Sequence, residues 1–198
     1  MSRSMRNSFN LTLFEVLFVA GLLAYTLGQF LIFVYFNDLE ALHAQTPIDF
    51  AHWFLLIGLL LLVPQGMSFP KSRLHFVGGP LFVLGIGLLI GMCVLDFVFW
   101  SIDSAEQKRE LATHLIATPA IWFPFMTVSG HLFNLGLLIC GFSYLKYSKA
   151  GTALLCIGTF IVLAGGGWLN VLGYSVLTAG FATCFHHHNL PLLHQARQ

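Results

Sequence analysis

The sequence predicts an all-α integral membrane bundle of about six transmembrane helices, one domain over residues 1–198, with both termini in the cytoplasm. Three observations predict it. Hydrophobic residues make up 57% of the chain against 9% charged, with a mean hydropathy of +0.82. Apolar stretches recur near the length of about 20 residues that crosses a hydrocarbon layer of about 30 Å. Finally, the basic residues sort to alternate joints. A soluble domain carries about 25% charged residues, so a water-exposed globule is excluded, and a formal net charge of +1 offers no basic surface for nucleic acid.

The first span covers 11–36, behind a lead carrying Arg3 and Arg6. It is longer than a signal-peptide core and lacks a small-x-small cleavage site, so it reads as a retained helix. A polar loop with Asp38, Glu40, His43 and Asp49 leads to span two, 50–69, bent by Pro64 near its end. Lys71 and Arg73 precede the glycine-rich span three, 76–100. In the charged linker 101–113, Asp103 with Glu106 reads as a capping box for a short extracytoplasmic helix at about 104–115. Span four covers 119–145, and Lys146 and Lys149 mark a short turn. Span five (151–165) and span six (170–185) are both short and are separated by Gly165-Gly166-Gly167.

Numbering the sides alternately puts Arg3, Arg6, Lys71, Arg73, Lys146, Lys149 and Arg197 on one side and only Lys108 and Arg109 on the other. Seven against two places the termini in the cytoplasm of a plasma or bacterial inner membrane. Trp53, Trp100, Trp122 and Trp168 all fall at the opposite, outer ends, where an amphipathic ring suits headgroup depth. Gly85, Gly87 and Gly91 in span three, with Gly130, Gly136 and Gly141 in span four, permit close backbone approach. Cys93, Cys140, Cys156 and Cys184 lie inside apolar stretches and read as small hydrophobes rather than disulfide partners.

Ionisable groups inside spans are costly and are therefore functional candidates. Glu15 lies near the cytoplasmic edge, where it can reach the interface. Asp96 sits about 6 Å below the outer boundary, one helical turn before Trp100. His131 is near the middle of span four, with Thr127 and Asn134 on its face, and Pro124 upstream frees the Ala120 carbonyl and favours a kink. Tyr25 with Gln29, and Asn170 with Tyr174, each four apart, add polar pairs from spans one and six. Asp96, His131, Tyr25, Gln29, Thr127, Asn134 and Tyr174 are thus expected to line an outward-opening pocket, or to handle protons. A neutral His131 that merely hydrogen-bonds across a helix interface fits the same residues.

At the outer rim, Asp49 and His52 are three apart, and Glu106, Glu110 and His114 are spaced by four. Imidazole and carboxylate groups so arranged can ligate a divalent metal, with His52, Asp49, His114 and Glu110 as the ligand set. Solvated acids beside Lys108 and Arg109 are the plainer alternative.

The functional expectation is a polytopic protein whose pocket binds or moves a small solute or metal ion. A noncatalytic accessory subunit of a larger membrane complex, or a homo-oligomer, uses the same features. So does an oxidoreductase carrying haem b or quinone, although His52 and His131 differ in depth and do not suit a bis-histidine haem. Lipid hydrolysis lacks a nucleophile elbow, Ser129 has no acid at its depth, and no span carries a lysine for a retinal Schiff base. The run His186 to His188, with His194, reads as weakly basic interfacial residues.

Overall fold

The computed structural model describes residues 3–35, 48–66 and 69–195, with side chains over 13–35, 50–66 and 69–189. Among the described residues seven helices follow: α1 (Arg3–Tyr35), α2 (Ile48–Gly66), α3 (Arg73–Trp100), α4 (Ala105–Ile116), α5 (Pro119–Tyr144), α6 (Lys149–Ala164) and α7 (Trp168–Gln195). No strand occurs among the described residues. Within these helices Leu13–Tyr35, Arg73–Trp100, Pro119–Tyr144 and Trp168–Asn189 are long and apolar enough to cross a membrane, whereas Phe50–Gly66 and Lys149–Ala164 are shorter apolar helices. The four long helices are compatible with an integral membrane protein.

Two expectations change at the ends of elements. Span six is not short: α7 continues past Phe185 to Gln195. The histidine run is helical because the extension is held from the side. His188 meets the Tyr147 and Tyr144 rings edge-on at 4.7 and 5.7 Å, and the Asn189 amide donates to Glu15. Second, α4 is not capped by Asp103 and Glu106. Its N-cap is Ser104, whose hydroxyl accepts from the Gln107 backbone N–H, one residue later in register.

The helices pack as antiparallel pairs: α1 with α2, α3 with α5, and α6 with α7, joined by α1 against α7 and α2 against α3. Glycine sets each pair, reciprocally. A β-carbon on Gly21 would meet the Gly58 carbonyl at 2.8 Å and one on Gly58 would meet the Gly21 carbonyl at 2.7 Å. Gly158 and Gly173 stand in the same relation at 2.9 Å each way. Between α3 and α5, a β-carbon at Gly85 would collide with the Phe133 backbone and one at Gly136 with the Phe82 backbone. In a bilayer apolar side chains gain little by leaving lipid for a neighbouring helix, so close backbone packing of this kind is what would supply the attraction there. Gly87 and Gly130, expected in this role, face open space instead.

The space between the pairs is filled largely by aromatic rings. Phe18, Phe82, Phe133, Tyr144 and Phe181 are fully buried. Phe18 meets Phe181 at 4.8 Å and Phe69 at 5.6 Å, both edge to face, and Phe82 stacks on Phe133 at 5.6 Å. The outward faces are apolar as well, with Phe76 84% and Phe160 69% exposed. Because neighbours run antiparallel, the starts of α2, α5 and α7 and the ends of α1 and α3 share one end of the bundle. This distal end holds Trp53, Trp100, Trp122 and Trp168; the proximal end holds Glu15, Tyr144 and His188.

Candidate functional site: a polar cavity beside a π-helical turn

The site begins with Pro124. Proline has no N–H to donate and its ring crowds the carbonyl four residues back, so it disrupts the regular α-helical ladder. In α5 the chain answers with a π-helical stretch, Phe123–Val128, between α-helical Pro119–Trp122 and Ser129–Gly141. Three polar side chains at or just beyond this stretch turn back onto main-chain carbonyls four residues earlier. Ser129 Oγ donates to Phe125, His131 Nδ1 lies 3.0 Å from the Thr127 oxygen, and Asn134 Nδ2 donates to Gly130 at 2.8 Å. A carbonyl oxygen only accepts, so His131 Nδ1 carries the hydrogen in this contact, and in the neutral ring Nε2 is left as an acceptor.

Opposite this segment, α1 presents Tyr25 and Gln29, and α7 presents Asn170 and Tyr174, each pair on one helical face. Asn134 Nδ2 also donates to the Tyr174 hydroxyl at 3.1 Å, and Asn170 Nδ2 donates to Gln29 Oε1 at 3.4 Å. The Tyr25 and Tyr174 rings meet edge to face at 4.8 Å. Together these groups surround a cavity of about 310 Å³. Of the residues expected to share a pocket, Tyr25, Gln29, Thr127, His131, Asn134 and Tyr174 line it. Among the described residues the lining contains no Lys, Arg, Asp or Glu. Asn134 Oδ1 is buried without a hydrogen-bond partner, although the amide nitrogen beside it has two.

Asp96 does not belong to this cavity. It falls one turn beyond the cavity-lining Met92, about 6 Å farther along α3, where α3 meets α2. There its carboxylate lies 3.1 Å from His52 Nε2, with His52 buried and edge-on to Phe97 at 6.1 Å. The expected metal set is likewise not assembled. His52 is engaged by Asp96, while Glu110 and His114 lie on an exposed face formed by α4 alone, with Glu106 and Arg109. The Asp49 side chain lies outside the described residues. Among the described residues, no three His, Cys, Asp or Glu side chains converge to hold a metal ion.

Two features were not read from the sequence. The end of α6 contributes Val162, Leu163 and Gly165 to the cavity, for which the Gly165–Gly167 break was the only signal. At the proximal end Glu15 is buried and takes its partners, Asn189 and His188 at 3.9 Å, from the far end of the chain. No local pattern joins residues 174 positions apart. No protein-family model, curated protein or solved structure matches the chain.

Proposed function

We propose that this chain is a six-span membrane protein with both termini in the cytoplasm, whose cavity in the outer half of the bilayer binds a small, uncharged, hydrogen-donating solute. The observation that carries the reading is Asn134. A buried amide oxygen without a partner costs roughly 1–3 kcal/mol, a penalty that a bound O–H or N–H group removes once this cavity-lining side chain turns its oxygen, closed off in the empty cavity, toward the ligand. His131 Nε2 adds a second acceptor on the same helix. The described lining is uncharged and disfavours ions of either sign, because neither finds a counter-charge among those residues. A metal ion is further disfavoured by the scattered ligands described above.

The test is thermal unfolding of the purified full chain with hydroquinone, a small neutral donor, against sodium chloride at equal concentration. Hydroquinone at about 100 times its Kd stabilises the wild type by about 2.7 kcal/mol. Asn134→Leu is expected to lose that shift. Equal shifts in both proteins, or none in the wild type, would overturn the reading.

A further inference from the structure

The cavity has a mouth, and its position says where a ligand arrives. Along α5, Phe123, Thr127, His131 and Leu135 follow one another at four-residue steps and form one exposed stripe, with Phe123 60% and Leu135 46% exposed. Its two middle members, Thr127 and His131, also line the cavity. Across the gap, Leu163 of α6 lines the cavity while remaining 50% exposed, and its stripe continues through Phe160 and Ile157. The polar opening is therefore framed along both helices by outward-facing apolar side chains. α6 is the short helix here, with 16 residues rising about 24 Å, and it packs mainly on α7 rather than on α5.

We infer that the cavity takes the head of a neutral lipid that enters sideways from the bilayer between α5 and α6: an amphiphile with an uncharged hydroxyl-bearing head and an apolar tail. This rests on the solute reading above and names the ligand class for that site. The head supplies the O–H that Asn134 Oδ1 lacks and a second for His131 Nε2, while the tail lies along the exposed stripe of Phe160, Leu163 and Leu135. A lipid quinol and a diacylglycerol both present this chemistry. A phospholipid does not, because its phosphate would enter a lining without a cation.

The experiment uses the full chain in lipid nanodiscs and compares hydroquinone, decyl-hydroquinone bearing a diazirine on its tail, and dioctanoylglycerol as competitor. Expected are at least tenfold tighter binding of the tailed quinol than of hydroquinone, and photo-crosslinks on the α5 and α6 stripes at Leu135, Phe160 or Leu163. Displacement of the crosslink by dioctanoylglycerol at lower concentration than by unlabelled decyl-hydroquinone assigns the site to a glyceride; the reverse assigns it to a quinol. Equal affinity with and without a tail, or crosslinks confined to α4, would overturn lateral access while leaving the solute reading intact. Failure of hydroquinone and both tailed ligands to bind would remove both.

Discussion

Asn134 and Asp96 illustrate two ways in which a polar side chain is accommodated among apolar helices. Asn134 satisfies its nitrogen within the protein and leaves its oxygen buried without a partner beside a cavity. Asp96 instead meets His52 and leaves the cavity to its neighbours. A structural role for the second arrangement is tested by the difference between removing and preserving an acceptor. Asp96→Leu takes away the oxygen 3.1 Å from His52 and is expected to cost about 1–3 kcal/mol. Asp96→Asn keeps an acceptor at the same place and is expected to cost less than about 1 kcal/mol, read by thermal unfolding in detergent. Identical losses in the two variants would mean that Asp96 serves through its charge rather than through the hydrogen bond. The residue types were legible as candidates because ionisable and amide groups are rare in apolar spans. Their grouping was not, since Asp96 and Met92 share a helical face and only the helix opposite each depth separates their roles.

At the scale of elements, the helix pairs are held by glycines on both sides of each contact. Interhelical hydrogen bonds in membranes average only about 0.6 kcal/mol, so backbone proximity outweighs the polar contacts in setting the pairs. Gly136→Val would drive a branched side chain into the Phe82 backbone and separate α3 from α5. Overpacking of this kind costs about 1–3 kcal/mol, and the unfolding midpoint is expected to fall accordingly. Gly87→Val meets open space and is expected to leave the midpoint unchanged; a comparable loss there would show that the glycines act through something other than contact. Both residues lie in apolar spans, and their spacing alone offered no way to tell them apart. The π-helical turn was more legible. Pro124 announced a kink in α5 through the freed Ala120 carbonyl, whereas the side chains after it bond the Phe125, Thr127 and Gly130 carbonyls instead.

For the whole molecule, the antiparallel pairing alternates helix direction from α1 through α3 and from α5 through α7, which suits an even number of crossings. On the proposed topology, α4 is outside and the α5–α6 turn is inside. Gln107→Cys is therefore expected to react with a membrane-impermeant maleimide in intact cells, and Lys146→Cys only after permeabilisation. The opposite pattern would invert the orientation, and labelling of both sites in intact cells would break the six-span count. Cys93, Cys140 and Cys184 are buried, and the half-buried Cys156 is replaced by Ser in the background used for labelling. Composition and apolar run length by themselves determined that the chain is helical and apolar enough for membrane crossings, because both depend only on local hydrophobicity and on a rise of about 1.5 Å per residue. Tertiary structure alone decided that α7 is long and α6 short, that His52 belongs with Asp96, and that one buried oxygen of Asn134 lacks a donor. Each depends on which helix stands opposite at a given depth, and contacts between residues far apart in the chain set that.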